Sequence, residues 1–105
     1  MKAWTLDELD ARRAAGGRAY VEFLREPSMS AGLYVLPAGG VDPQQPHRED
    51  EIYVVLDGRS SFTAGEETRG VSAGDVIFVR AGVPHRFHDI AMELRIAVVF
   101  APPES

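Results

Sequence analysis

From Ala19 to Phe100 the chain is cut into short apolar runs by glycine, proline and aspartate, and that cadence restricts the fold more than any other feature. Ala19–Leu24 and Gly32–Leu36 are apolar-rich and are separated by Arg25-Glu26-Pro27-Ser28. Pro37-Ala38-Gly39-Gly40 and Pro43 interrupt the chain again. Ile52–Leu56 then runs into Asp57-Gly58, which reads as a hairpin turn with Ser60–Thr63 as the returning strand. Glu67–Val71, Val76–Val79, His85–His88 and Leu94–Phe100 follow, each behind a further turn signal. Short strands broken roughly every eight to twelve residues predict an all-β sandwich or barrel.

One helix precedes them, over about residues 5–15. Thr5 and Glu8 have the capping-box spacing, Trp4 before the cap can staple onto Leu9, and Gly16-Gly17 ends the helix. Arg12 and Arg13 fall near its negative end and read as a solvated face. Pro102-Pro103-Glu104-Ser105 reads as a frayed end. The 105 residues make one domain, with the barrel spanning about residues 18–101.

Charge and composition exclude several classes. Sixteen acidic against eleven basic residues give a net charge of −5, and no Lys/Arg cluster offers an electrostatic footprint for nucleic acid or an anionic membrane. With no cysteine, disulfides, thiolate metal sites and cysteine nucleophiles are ruled out. The start lacks an apolar leader core and the longest apolar run, Ile96–Ala101, is too short to span a bilayer, so the expected location is cytoplasmic. Gly70-Val71-Ser72-Ala73-Gly74 matches the serine-hydrolase elbow. That elbow requires a following helix, whereas Val76–Val79 reads as a strand, so Ser72 is a turn residue.

The chemistry gathers in Gln45-Pro46-His47-Arg48-Glu49-Asp50-Glu51 and at His85. On an extended chain Gln45 and His47 share a face, as do Glu51, Tyr53 and Val55, and as do His85 and Phe87. Two imidazoles and a carboxylate in a small β protein are the ingredients of a transition-metal site with open positions. His88 is out of phase with His85 and should face away. Glu49 and Asp50 read as a solvated turn, with Glu49 as a substitute for Gln45 if the strand is irregular. Tyr34 and Tyr53 read as core or pocket-wall residues whose hydroxyls can orient a substrate. Arg95 interrupts an apolar run and can face the pocket or a partner subunit.

These residues resemble the two motifs of the cupin superfamily over about Gly40 to Asp89. The first motif is a glycine, a His-x-His pair, a glutamate three or four residues on, and a glycine after six more; Gly40, Gln45-x-His47, Glu51 and Gly58 stand in those places. The second is matched by Gly74, Arg80-Ala81-Gly82, His85 and Asp89. Gln45 departs from the first histidine, Arg80 from a proline and Asp89 from an asparagine.

The resemblance implies a jelly-roll β-barrel and a homodimer of small cupins. It makes His47, Glu51 and His85 metal ligands, with Gln45 in the place of the fourth, for Fe, Mn, Ni, Co or Zn. Tyr34, Tyr53 and Phe87 would line a pocket for a small molecule. Three functions follow as expectations. They are a metal-dependent oxygenase of the dioxygenase type with Glu51 doubling as catalytic base, a metal-dependent isomerase or lyase, and a non-catalytic binding or sensory module.

Overall fold

The computed structural model describes all 105 residues. Helix α1 (Leu6–Gly16) precedes six strands: β1 (Tyr20–Glu26), β2 (Met29–Leu36), β3 (Asp50–Ala64), β4 (Glu67–Ser72), β5 (Val76–Val79) and β6 (His85–Ala101). All pairings are antiparallel, in the order β1-β2-β6-β3-β4 with β5 on β3. The architecture is a jelly-roll β-barrel with one short N-terminal helix, as the strand cadence predicts.

Two long strands take the place of four. The expected hairpin at Asp57-Gly58 is instead a bulge inside β3, where the pairing with β6 slips between Val55 and Ser61. Gly58 takes φ 96°, and a Cβ there would overlap the backbone of Glu93 and Leu94, so the close approach of β6 requires glycine. The bulge resets the alternation of burial. Glu51, Tyr53 and Val55 point inward before it, Ser60 and Phe62 after it. Asp89, the one non-glycine residue with positive φ, does the same for β6, so that His85 and Phe87 face inward, then Ile90, Leu94, Ile96, Val98 and Phe100. These bends fold the sheet around one apolar core.

β2 is buried on both faces from Ser30 onward because its outer side is also covered. Leu9 of α1 packs on Leu33 and Val35, with Trp4 and Phe23 beside them. The Thr5 hydroxyl accepts from Glu8 N at 3.1 Å, and Gly17 closes the helix in the left-handed region. Arg95 meets neither the pocket nor a free surface. Its guanidinium pairs with Asp10 of α1 at 2.5 Å and with Glu93 at 3.2 Å, pinning helix to sheet.

The outer face of β3 and β5 is uncovered. Ile52 lies opposite Phe78, and Val54 opposite Val76, with Phe78 61% and Val76 66% exposed. No helix is long and apolar enough to cross a membrane.

Candidate metal centre

Three elements deliver the site. The loop before β3 carries His47, the start of β3 carries Glu51, and the start of β6 carries His85. One donor atom from each of these side chains lies within 4.8 Å of the other two. The His47 loop is tied to the turn before β6 by Gly82 N donating to the His47 carbonyl at 2.7 Å. The second motif thereby fixes the first.

His85 has a defined tautomer. Its Nδ1 lies 2.8 Å from the Val83 carbonyl, which can only accept, so Nδ1 carries the proton. Nε2 then turns a lone pair to the interior, 2.6 Å from Glu51 Oε1 and 3.0 Å from the Tyr53 hydroxyl. Glu51 is 1% exposed, and the contact with His85 lacks hydrogen-bond alignment, so neither carboxylate oxygen has a hydrogen-bond partner. Two lone-pair atoms do not rest this close without a proton or a cation between them. In the metal-free protein the proton is the answer. Burial works against charge on His85, but Glu51, the Val83 carbonyl and Asp42 outweigh it and raise its pKa above the ordinary 6.5.

A divalent transition metal is the other answer, and the donors fit one. Two imidazoles and one carboxylate are the ligand set of the facial triad. Ligands at about 2.1 Å from an ion lie about 3–4 Å from one another, so a modest closure of the cluster suffices. The Val83 carbonyl behind His85 is the kind of partner that orients a metal-ligating imidazole.

Gln45 is not at the centre. It is exposed, and Gln44 points inward instead. The segment from Val41 to His47 is not a strand, so the two-residue alternation that would place Gln45 beside His47 does not operate there. The Gln44 carbonyl accepts from the Tyr53 hydroxyl at 2.7 Å and lies 3.2 Å from His47 Nε2, while its amide donates to Asp42 at 2.6 Å. Asp42 is a buried hub that also accepts from the Tyr34 hydroxyl at 2.7 Å and from Phe87 N at 2.9 Å. Burial first, then neighbouring carboxylates, push the Tyr34 and Tyr53 pKa values upward, so both hydroxyls stay protonated.

A cavity of about 180 Å³ opens beside His47. Tyr34 and Tyr53 line it, but Phe87 does not; its ring packs behind Tyr53 and Phe62, with centroids at 5.1 and 4.6 Å. The sequence pattern misses five lining residues, Tyr20, Gln44, Val98, Phe100 and Glu104. Glu104 comes from the segment expected to fray. That tail is held by Glu104 N donating to Ser30 Oγ at 2.9 Å and by Arg25 donating to the Glu104 carbonyl at 3.0 Å. Glu104 Oε2 stands 3.5 Å from His47 Nδ1. Burial raises the Glu104 pKa, His47 opposes that, and Glu49 adds to it. Glu49 is itself 4% exposed and accepts from Ser105 Oγ, so it belongs to this buried corner and not to a solvated turn. Asp50 is exposed and caps Ala81 N. His88 faces away, between Thr63 and Asp89.

Known proteins agree with this architecture. Over 105 residues, covering 100% of both chains, the sequence is 56% identical to an uncharacterized protein of Streptomyces coelicolor. The crystal structure of TT1209 from Thermus thermophilus is similar with a TM-score of 0.81 at 28% identity, over 98% of this chain and 99% of that one. A cupin 2 conserved barrel domain protein from Salinispora arenicola has a TM-score of 0.73 at 20% identity, over 95% of this chain and 87% of that one, a likeness of fold. The family model of the cupin domain matches residues 32–100, and with the barrel and both motifs in place the chain belongs to the cupin family.

Proposed function

We propose that the protein is a metal-dependent small-molecule enzyme of the oxygenase type, with a divalent transition metal held by His47, Glu51 and His85. The observation that carries this reading is the Glu51 carboxylate, buried to 1% exposure without a hydrogen-bond partner and facing the lone pair of His85. Such a group costs several kcal/mol in a barrel interior unless a cation is there to meet it. Bound at these three donors, the metal supplies Lewis-acid or one-electron chemistry and open positions for substrate and dioxygen.

The chain's own groups do the rest. The Val83 carbonyl holds the His85 tautomer, and Gln44, in the place argued for Gln45, holds the Tyr53 hydroxyl and abuts His47. In this proposal Glu51 also serves as the catalytic base. Tyr34, Tyr53, Val98 and Phe100 wall the cavity and keep bulk water from the reacting atoms.

The test has two stages. Apo protein is offered Fe(II), Mn(II) or Zn(II) and its bound metal is measured by elemental analysis; one equivalent is expected. The Fe(II) form is then exposed to nitric oxide, a stand-in for dioxygen, and a high-spin iron–nitrosyl paramagnetic signal is expected. Failure to take up metal would leave a pocket that only binds or senses a ligand. Uptake without the nitrosyl signal would point to a non-redox isomerase or lyase.

We also propose that the protein works as a homodimer joined through the outer face of β3 and β5. Phe78, Ile52 and Val99 form one outward row, and Val76, Val54 and Ala97 the next, with no charged side chain among them. An isologous contact repeats any change twice. Phe78→Glu is therefore expected to convert a dimer into a monomer in light scattering, and a wild type that is monomeric at all concentrations refutes the pairing.

A further inference from the structure

The two imidazoles of the triad are not held alike. Behind His85 stands the Val83 carbonyl, a backbone group of the turn before β6, at 2.8 Å from Nδ1. Behind His47 the acceptor is a side chain. Its Nδ1 faces the carboxylate of Glu104 in the C-terminal tail, 3.5 Å away.

Gln44 shows which way the His47 ring is turned. The Gln44 amide nitrogen donates to the Asp42 carboxylate at 2.6 Å, so Oε1 is the Gln44 atom turned to Tyr53 and His47. His47 Nε2 lies 3.2 Å from that oxygen, and the Tyr53 hydroxyl bonded to it stands 3.0 Å from His85 Nε2. Nε2 is therefore the His47 nitrogen on the His85 side, and Nδ1 is turned away toward the tail. Without metal, Nε2 donates to Gln44 Oε1, and the Glu104 contact is longer than an ordinary N–H···O bond.

The tail is anchored so as to leave that carboxylate free. Glu104 N donates to the buried Ser30 Oγ at 2.9 Å, and Arg25 donates to the Glu104 carbonyl at 3.0 Å. Ser105 Oγ donates to the buried Glu49 carboxylate at 3.1 Å. Strands β1 and β2 and the loop before β3 thus each grip the tail. None of the three bonds uses the Glu104 carboxylate, which is left to His47.

We propose that Glu104 is a positioning residue of the metal centre, the carboxylate that orients His47 as the Val83 carbonyl orients His85. A ligating imidazole is neutral, so with Nε2 on the ion its one proton sits on Nδ1. The Glu104 carboxylate then accepts that proton in a charge-assisted hydrogen bond, which aims the ring and raises the basicity of Nε2. This role exists only if His47 is a ligand, so it rests on the metal reading above. It gives the C-terminal tail a part in holding the ion although no tail atom touches it.

Zinc affinity, measured by competition with a chromophoric chelator, and proton–nitrogen correlation spectra of the histidine rings test the role together. The wild type is expected to bind zinc through Nε2 of His47, with a slowly exchanging proton on Nδ1. Glu104→Ala keeps the tail's backbone anchors. It is expected to weaken zinc binding about tenfold or more and to speed exchange of that proton, with the metal-free melting temperature near the wild type's. Glu104→Gln offers an uncharged acceptor and is expected to recover part of the loss. Removal of residues 102–105 should match Glu104→Ala. Zinc on Nδ1 of His47, or a loss on removing the tail that Glu104→Ala does not reproduce, overturns the role of the carboxylate. A wild type that takes up no zinc removes the metal reading and this role with it. Equal affinity in the wild type and Glu104→Ala removes this role alone.

Discussion

Glu51→Leu is expected to abolish metal binding and to leave the metal-free protein at least as stable as the wild type. The wild-type carboxylate is buried and lacks a hydrogen-bond partner, so in the absence of metal it is held by the His85 proton alone. Leucine has a similar volume, and replacing a buried ionic group by an apolar one is commonly neutral or stabilising, here by up to about 2 kcal/mol. His85 is left neutral with Nδ1 still bonded to Val83, so no unpaired charge remains.

His85→Ala should behave oppositely in stability. It removes the imidazole that stands 2.6 Å from the Glu51 carboxylate and opens a cavity, at a cost of about 3 kcal/mol or more. Both variants are expected to lose the wild type's metal-induced rise in melting temperature. Urea denaturation without metal, and melting with and without Zn(II), separate the cases. A Glu51→Leu protein that is strongly destabilised would mean the carboxylate serves the fold. One that still loads a full equivalent of metal would remove Glu51 from the ligand set.

The second large effect is a pair of opposed pH dependences. His85 has its pKa raised in the folded, metal-free protein relative to the ordinary 6.5. A raised folded pKa means that the native state binds the proton more tightly than the unfolded chain. The resulting stability is fully present below about pH 6.5 and is lost as pH rises through the folded pKa. Metal binding has the other sign. The ion must displace that proton from Nε2, so affinity is weak at low pH and climbs until His85 is deprotonated, with one proton released per ion.

Melting curves of metal-free protein, referenced to Glu51→Leu to cancel other titrations, are therefore expected to fall above about pH 6.5. The zinc-induced rise should grow over the same interval. Calorimetry in buffers of different ionisation enthalpy counts the released proton. A metal-free melting temperature that rises through that interval, or metal uptake without proton release, contradicts the shared Glu51–His85 site.

Much of the barrel was legible because its strands alternate. Tyr53, Val55, Phe87, Ile96 and Val98 sit on the inward side that a period of two assigns them, and His88 on the outward side. Alternation also brought Glu51 to the face of Tyr53 and His85 to that of Phe87. The same rule misplaced Gln45, because the chain before β3 is irregular and neighbouring glutamines differ only in the turn that carries them. Turn chemistry misjudged Asp57-Gly58, since the dipeptide that closes a two-residue hairpin also serves a bulge, and only the position of β6 distinguishes the two.

Local sequence by itself determined the all-β class, the capped helix and the phase of most strands, which depend on propensity, turn chemistry and side-chain alternation acting over a few residues. The candidate donors His47, Glu51 and His85 were singled out by the resemblance to the two cupin motifs. Tertiary structure alone decided that Gln44 and not Gln45 reaches His47, that Asp42 anchors Tyr34, that Arg95 serves the helix, and that Glu104 lines the cavity. Each of those contacts joins a loop or a tail to a distant strand. Its partner is chosen by where the barrel brings chain segments together, a long-range consequence of burying one core that no local pattern encodes.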